Sequence, residues 1–184
     1  MTDASTAPRI APQPSKGDQP SLNIFRTLGH NHELLKGFLA LGSHLLRGDT
    51  LPAREREIVI LRTGWRCGSE YEFGQHTVIG LQAGLTDEEI ARLADAREGS
   101  WSDPDHHLVD MVDELCSHDM VSEPTWHALA SRWNDAQLLE LVVLTGYYRL
   151  VSGLLNSAGV ALERDTPGWP EGSSPVRRAA RDSS

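Results

Sequence analysis

Apolar residues recur at intervals of three and four along most of the chain, which is the spacing of one face of an α-helix. The stretch HNHELLKGFLALGSHLLRG, residues 30–48, shows this spacing clearly. Its apolar positions are Leu34, Leu35, Phe38, Leu41, Leu45 and Leu46. A second helix is predicted from LPAREREIVILRTGWR, where Pro52 suits the first turn because its missing amide hydrogen is not needed there. A third is predicted from Ser69 to about Ala83, closing on Gly84.

The second half of the chain continues the helical pattern. TDEEIARLADA opens with Thr86 and Glu89, the spacing of a capping box, and both SDPDHHLVDMVDELCSH and SEPTWHALASRW place Ser or Asp before an early proline. The long stretch DAQLLELVVLTGYYRLVSGLLNSAGV is apolar on most sides, which predicts a helix buried in the core or in a subunit interface. No segment alternates with period two for the length of a strand. The chain is therefore predicted to be all-α.

The two ends of the chain differ from this helical part. Both are rich in Pro, Ser, Gly and Asp and lack an apolar period, and they dilute the hydrophobic share to 39%. We therefore expect a disordered N-terminal extension (residues 1–20), one domain (residues 21–164) and a flexible C-terminal tail (residues 165–184).

Charge and cysteine content narrow the class of protein. A net charge of -9 disfavours nucleic-acid binding, since a phosphate-binding face needs clustered Lys and Arg. No apolar run reaches the roughly 18 residues of a membrane span, and the first twenty residues lack the pattern of a secretory signal. The 2 cysteines, Cys67 and Cys116, are too few for a disulfide framework. These features predict a cytoplasmic protein with no nucleic-acid or membrane partner.

Two segments resemble each other within the chain. PAREREIVIL (residues 52–61) and DAQLLELVVL (residues 135–144) align without gaps, and Glu57 then corresponds to Glu140. Duplicated helical units would explain the similarity. Two helices buried in the same way would converge on similar residues as well, so both explanations remain open.

The segment CGSEYEFGQH, residues 67–76, concentrates polar chemistry on one helix. Ser69, Glu72 and His76 fall on one face through steps of three and four, while Cys67 points about 200° away from Ser69. Glu72 and His76 are one turn apart, so a hydrogen bond would raise the histidine pKa and favour proton transfer near neutrality. Ser69 and His76 are about 10.5 Å apart along the axis, which excludes a direct serine–histidine nucleophile pair.

The arrangement E-x11-S-x2-E-x3-H, made by Glu57, Ser69, Glu72 and His76, resembles the motif of the alkylhydroperoxidase D-like (AhpD-like) superfamily. Its peroxidase members have Glu, Cys, Cys and His at those places. The text of residues 51–90 more closely resembles the carboxymuconolactone decarboxylase branch, which generally lacks the paired cysteines. The resemblance implies an AhpD-like helical bundle of related units, assembled as a homo-oligomer such as a trimer or hexamer.

The resemblance also implies an enzyme: a cofactor-independent lyase (decarboxylase) or isomerase acting on a small lactone or keto acid, as in the breakdown of aromatic compounds. The substrate's own conjugated carbonyl would take up the electrons, so neither cofactor nor metal is expected. His76 would be the acid/base, Glu72 would tune it or relay protons, and Glu57 would complete the relay. The side chains expected to hold carboxylate or carbonyl oxygens of the substrate are Ser69, Arg62 and Tyr71.

Two other functions remain as alternatives. An alkylhydroperoxidase or peroxiredoxin-like oxidoreductase needs two thiols that form a disulfide, but Ser69 and Glu72 occupy those places. Cys67 faces the wrong way, and Cys116 is expected on a distant helix, so a thiol reaction would have to use Cys67 in another manner. The third possibility is a non-catalytic oligomeric protein that binds small molecules in the same polar pocket.

Each site residue also has a purely structural explanation. Glu57 suits the first turn of a helix, where the dipole favours an acid, and an exposed Glu72–His76 pair would contribute only a few tenths of a kcal/mol. A di-iron bundle needs Glu-x-x-His on two helices, and zinc needs three or four ligands, which this stretch does not provide. Arg149 and Asn156, polar within an apolar helix, are expected to border the pocket or an interface.

Overall fold

The computed structural model describes residues 7–15, 21–95, 105–173 and 175. In these residues the chain forms eight α-helices and no β-strand, which confirms the predicted all-α fold. The helices are α1 (Asn23–Leu28), α2 (His32–Arg47), α3 (Ala53–Arg66), α4 (Glu70–Gln82), α5 (Asp87–Leu93), α6 (His106–His118), α7 (Glu123–Ala130) and α8 (Asp135–Ala158).

Local hydrogen bonds set several of the helix starts. The capping box predicted for α5 forms, because the Thr86 hydroxyl accepts from the Glu89 amide at 3.2 Å and the Glu89 carboxylate accepts from the Thr86 amide at 2.9 Å. Helix α8 opens with a second such box that joins Asn134 and Gln137. Helix α4 begins directly after Ser69, whose side chain makes no capping hydrogen bond.

Helix α3 is the centre of the fold. Its residues Ile58, Val59, Ile60 and Leu61 have 0% of their surface exposed. A helix that is buried on all sides needs partners on all sides, and α3 contacts α4, α5, α6 and α8. The burial of each such side chain stabilises the folded state by roughly 1.5–3 kcal/mol. The core therefore forms around this helix, and any polar residue on it must find a partner inside the protein.

Helix α8 is the long apolar helix predicted from the sequence. Leu141, Leu144 and Val151 on its inner side belong to the core, whereas Leu139 and Leu150 are 65% and 59% exposed. By length and composition α8 could cross a membrane, but 56% of its most apolar window is buried within the protein, as in core helices of water-soluble folds. One side of α8 is thus buried in the core. A subunit interface on its exposed side stays a prediction.

Parts of both predicted extensions pack against the domain. The amide of Arg9 donates to the carbonyl of Ala158 at 2.9 Å, which ties the described N-terminal segment to the end of α8. At the other end, the Trp169 ring lies 5.2 Å from the Trp65 ring and 5.1 Å from the Phe73 ring. Parts of residues 7–15 and 165–173 thus contact the domain, and the predicted domain boundaries at residues 20 and 164 stay a prediction. The remaining terminal residues lie outside the described part of the chain, apart from residue 175.

Candidate active site

Close packing of α3 against α4 builds the site. A Cβ atom on Gly64 would lie 3.3 Å from the backbone nitrogen of Phe73, and one on Gly80 would lie 3.3 Å from Leu61. Both contacts are tighter than ordinary packing, so the absence of side chains at these glycines lets the two helices approach. This approach brings Glu57 of α3 against α4.

Glu57 and His76 form a buried pair across the two helices. The His76 Nδ1 atom lies 2.6 Å from the Glu57 Oε2 atom, and the two residues are 5% and 0% exposed. The other carboxylate oxygen of Glu57 lies 3.6 Å from the Nε atom of Arg56. A short bond between a carboxylate and an imidazole is a charge-assisted hydrogen bond, and it fixes the orientation of the ring.

Glu72 lies on the other side of the imidazole. Its Oε2 atom is 3.6 Å from the His76 Nε2 atom, which is an ion-pair distance and longer than a hydrogen bond. The hydrogen bond expected between Glu72 and His76 is therefore made by Glu57 instead. Glu72 makes no hydrogen bond to His76, and both residues line the adjacent cavity.

Burial and mutual charge shift the proton affinities of this cluster. Burial raises the pKa of the Glu72 carboxyl to about 7, opposed by the charge of His76 and reinforced by that of Glu57. For His76, burial lowers the pKa, but the hydrogen bond and charge of Glu57 and the charge of Glu72 outweigh it, so its pKa is raised. Both Glu72 and His76 can therefore hold a proton near neutral pH.

A cavity of about 260 Å³ adjoins the cluster between α1, α2, α4 and α8. Glu72 and His76 are part of its wall, and the Tyr148 ring stands perpendicular to the His76 ring at 5.0 Å. Most of the wall is apolar or aromatic. The apolar and aromatic lining includes Ile24, Phe25, Phe38, Leu46, Ile79, Tyr147 and Val151. A small cavity with few polar groups is typical of a site for a small organic ligand.

Tyr71 borders this cavity, but its hydroxyl already has partners. It donates to a carboxylate oxygen of Glu163 at 2.8 Å and accepts from the Ile24 amide at 3.4 Å. Gln75, also in the cavity wall, donates to the other oxygen of Glu163. Glu163 follows α8 and carries no recognisable motif, so sequence reasoning gave no signal for its role. Tyr71 thus helps to close the cavity, with its hydroxyl committed to Glu163.

Arg62 and Ser69 lie away from this cavity. The Arg62 guanidinium binds both carboxylate oxygens of Asp113, at 2.8 and 2.6 Å, and donates to the carbonyls of Leu93 and Asp95. Because Arg62 points from α3 toward α6 and away from the cavity beside His76, the structure does not support a substrate contact at that cavity, and a substrate-binding role for Arg62 stays a prediction. Ser69 is 0% exposed, and its hydroxyl has no hydrogen-bond partner and lines neither of the two cavities described here. A substrate-binding role for Ser69 is not supported by this placement.

The predicted counterpart of Glu57 has a similar environment. Glu140 on α8 is 8% exposed, and its Oε2 atom lies 3.6 Å from the Nε2 atom of His44. His44 is largely exposed, however, unlike His76. Helices α3 and α8 pack side by side at the centre of the fold. This pairing agrees with duplicated units as well as with convergence, so duplication stays a prediction.

The two cysteines lie together, which the sequence reasoning did not foresee. Cys67 does point away from Ser69, Glu72 and His76, as predicted, but its thiol meets that of Cys116 on α6. The expectation that Cys116 is distant is wrong, because α3 and α6 pack directly against each other. Both cysteines are free and partly exposed in a second cavity. Arg149 and Asn156 border that cavity and not the predicted pocket beside His76.

Comparisons with known proteins fit this fold and site. The model of the carboxymuconolactone decarboxylase family matches residues 32–99. A comparison with curated protein sequences gave no match. Within residues 32–99 lie Glu57, Glu72 and His76, the three side chains of the buried cluster.

Solved structures share the fold at low sequence identity. An uncharacterized peroxidase-related protein from Silicibacter sp. TM1040 has 16% identity and a TM-score of 0.69, over 77% of this chain and 76% of that chain. A protein of unknown function from Agrobacterium tumefaciens, described as a putative antioxidant defence protein AhpD, has 16% identity and a TM-score of 0.68, over 74% and 94%. An uncharacterized peroxidase-related protein from Ralstonia eutropha JMP134, described as an alkylhydroperoxidase AhpD core, has 18% identity and a TM-score of 0.58, over 77% and 76%. Residues 32–99 of this chain are thus similar to the carboxymuconolactone decarboxylase family, and the chain shares the AhpD-like fold of these solved structures.

Proposed function

We propose that the chain is a lyase or isomerase that acts on a small carbonyl compound by general acid–base catalysis at His76. The observation that carries this proposal is the buried imidazole held at 2.6 Å by Glu57, with Glu72 on its other side and a cavity next to it. Because perturbed titratable groups beside a cavity are typical of catalytic sites, this cluster is the strongest site for chemistry in the described residues.

The geometry assigns different tasks to the two nitrogen atoms of His76. The Nδ1 atom carries a proton toward the Glu57 carboxylate, so the ring exchanges protons through Nε2. Nε2 faces Glu72, which lines the cavity together with His76. Glu57 is a positioning residue that keeps this tautomer and stabilises the imidazolium. Glu72 either relays the proton or acts on the substrate directly, because a pKa of about 7 lets the carboxyl be protonated or ionised at neutral pH.

In a decarboxylation the bond between the carboxylate carbon and its neighbour breaks, and carbon dioxide leaves. The bonding electron pair moves into the conjugated carbonyl and forms an enolate. A proton from His76 or Glu72 then reaches the enolate carbon, and a proton from water restores the enzyme. An isomerase would use the same two groups to remove a proton at one carbon and return it at another. In either case the apolar wall excludes water while charge develops.

The cavity wall limits the class of substrate. Its volume of about 260 Å³ suits a small molecule, and apart from His76 the only cationic side chain among the described residues of its wall is the exposed Arg47. The carboxylates of Glu57 and Glu72 oppose a second negative charge nearby. We therefore propose a lactone or keto acid with at most one carboxylate, which would pair with Arg47 at the entrance.

Catalysis of enolate formation can be tested without knowledge of the natural substrate. The protein is incubated in deuterated water with a panel of small lactones, keto acids and β-dicarbonyl compounds, and proton NMR follows deuterium uptake and carbon dioxide loss. We expect exchange or decarboxylation of at least one compound, and a rate about 10²–10⁴-fold lower for His76→Gln. Lys36→Gln, which removes an exposed charge outside the cavity wall, is the matched control.

Three results would decide between the functions. Equal rates for the wild type and His76→Gln would contradict the proposed chemistry. Saturable binding of several compounds with no turnover of any would favour the non-catalytic binding protein. Peroxide consumption that depends on a thiol reductant and disappears in Cys67→Ser would favour the oxidoreductase, which would then use cysteines outside the family motif.

A further inference from the structure

A second cavity, with a volume of about 920 Å³, lies among α3, α6 and α8 and shares no lining residue with the cavity beside His76. Glycines leave much of it open. A Cβ atom added to Gly68, Gly146 or Gly153 would meet nothing within 4 Å. These glycines create room at the very place where both cysteines reach the wall.

The two thiols are close enough to interact directly. Cys67 follows the last residue of α3, and Cys116 lies in the last turn of α6. Both are free, and each is partly exposed to the cavity. The carbonyl of Cys67 accepts a hydrogen bond from the Asn156 side chain at 2.9 Å, which fixes the backbone at this position. Two adjacent thiols on separate, well-anchored helices can form and open a disulfide bond.

The described charged side chains in the wall around the two thiols are all cationic. Among the residues that the structure describes, the cavity wall includes Arg62, Arg66 and Arg149 and no carboxylate. The acids that pair with these arginines, Asp113 and Asp119, stand outside the wall. A concave surface with one sign of charge attracts ligands of the opposite sign. The cavity is therefore suited to a negatively charged small molecule.

These surroundings make the two sulfur atoms unequal. The hydrogen bond from Cys116 lowers the pKa of the Cys67 thiol to about 7, against the effect of burial and with smaller contributions from Arg149, Ser152 and Arg66. The Ser152 hydroxyl is 0% exposed and has no hydrogen-bond partner, so it is available to a thiolate at Cys67. The pKa of Cys116 is raised, chiefly by Cys67 and by burial. Near neutral pH, Cys67 is thus the sulfur that ionises and attacks.

We propose that Cys67 and Cys116 form a reversible dithiol–disulfide site that reacts with small disulfides carrying carboxylates, with Cys67 as the attacking residue and Cys116 as the resolving residue. The site is separate from the acid–base cavity and does not depend on the function proposed for it. It also differs in position from the paired cysteines of the superfamily, which correspond to Ser69 and Glu72.

The reaction consists of two thiol–disulfide exchanges. The Cys67 thiolate attacks one sulfur of the small disulfide, a bond forms between the two sulfurs, and one small thiolate leaves. Cys116 then loses its proton to solvent, and its thiolate attacks the Cys67 sulfur, releasing the second small thiolate. The protein gives up two electrons and gains one disulfide, while the small disulfide is reduced to two thiols. An excess of a small dithiol such as dithiothreitol reverses the sequence.

Mass spectrometry of the full chain can test each part of this proposal. The reduced protein is mixed with oxidised glutathione, an anionic disulfide. We expect the wild type to lose the mass of two hydrogen atoms, and Cys116→Ser to trap one glutathionyl group on Cys67. Serine keeps a donor near Cys67, so this variant retains the conditions for attack. Cys67→Ser should react about 10-fold or more slowly, because Cys116 is the weaker nucleophile at neutral pH.

A comparison of an anionic and a neutral disulfide tests the selectivity for anions. With oxidised glutathione, Arg149→Gln is expected to lower the rate about 10-fold, whereas with the neutral hydroxyethyl disulfide the rate falls far less. Gly153→Leu should slow both reagents by filling the cavity without changing charge. Gly37→Leu is its matched control, since Gly37 is an exposed glycine on α2 with nothing within 4 Å of an added Cβ.

Two outcomes would overturn the proposal. The first is a wild type that takes up two glutathionyl groups without forming an internal disulfide, which would mean that the thiols react independently. The second is equal reactivity of Cys116→Ser and Cys67→Ser, which would remove the assigned order of attack. If Arg149→Gln slows the anionic and the neutral disulfide equally, the carboxylate selectivity is wrong.

Discussion

The two cavities of this protein differ in almost every physical property, although α8 lines both. The smaller one is walled mostly by apolar and aromatic side chains and adjoins an imidazole that contacts two carboxylates, of which Glu72 is in the wall. The larger one is walled by arginines and glycines and holds two thiols. Successive residues of a helix point about 100° apart, so Glu57 and Arg62 on one helix can face different neighbours. Residues 32–99, which match the family model, include the whole acid–base cluster but only one of the two cysteines.

The independence of the two cavities would be contradicted most clearly if one variant affected both. We expect His76→Gln to lower carbonyl turnover about 10²–10⁴-fold and Cys67→Ser to leave that turnover within about twofold of the wild type. The reason is that the two residues line cavities with no residue in common. Turnover is measured by the NMR assay above, and circular dichroism verifies that both variants are folded. Loss of turnover in Cys67→Ser would contradict this independence, because carbonyl turnover would then require a thiol of the other cavity.

A smaller effect is expected on the free energy of unfolding, and it comes only from the titratable groups beside the acid–base cavity. The pKa of Glu72 is about 7 in the folded protein and ordinarily 4.5. Because the folded-state pKa is raised, the folded protein binds the proton more tightly, and the associated stability is present below pH 4.5 and is lost as the pH rises through 7. Ionised Glu72 then costs on the order of 3 kcal/mol. The raised pKa of His76 acts in the same direction.

Glu72→Gln removes this titration. Between about pH 5 and pH 8, the free energy of unfolding of the wild type should fall by about 2–3 kcal/mol more than that of the variant. Urea denaturation at both pH values measures the difference. Glu70→Gln, which removes an exposed acid in the same turn of α4, is the matched control. A wild type and a Glu72→Gln variant with parallel pH dependence would show that Glu72 is not buried against His76.

The smallest effect concerns the exposed side of α8, where Leu139, Val143 and Leu150 are 65%, 45% and 59% exposed. Contiguous exposed apolar residues mark interfaces, so we expect a homo-oligomer such as a trimer or hexamer. Val143→Glu should lower the sedimenting mass toward the 20.3 kDa monomer. Val78→Glu, at a similarly exposed valine on α4, serves as the control. A monomeric wild type would contradict the expected assembly.

The sequence predicted the parts of this structure that depend on local periodicity. The helical spacing of apolar residues located the helices, and steps of three and four correctly placed Glu72 near His76. Cys67 precedes α4, so the spacing along that helix does not determine its direction. The place of Glu57 came from the resemblance, since spacing within one helix cannot show which residue of a second helix faces it. The structure adds that Glu57, and not Glu72, makes the hydrogen bond to His76.

The features that the sequence reasoning missed all involve contacts between elements far apart in the chain. Arg62 pairs with Asp113, and Cys67 meets Cys116, because α3 packs on α6. Trp169 covers the core although its neighbours are Pro, Gly and Ser, which gave no apolar period. Such contacts depend on the relative orientation of helices, and a single sequence does not encode that orientation in any local pattern.

The central claim is that Glu57 holds a buried imidazole that carries a proton near neutral pH. Nitrogen NMR of ¹⁵N-histidine-labelled protein, titrated from acid to alkaline pH, measures this at His76 directly, with His76→Gln identifying the signal. We predict a pKa above 6.5 for His76, with Nδ1 protonated throughout and a lower pKa in Glu57→Gln. A His76 that titrates at or below 6.5, keeps its neutral-form proton on Nε2, and does not respond to Glu57→Gln would contradict the account.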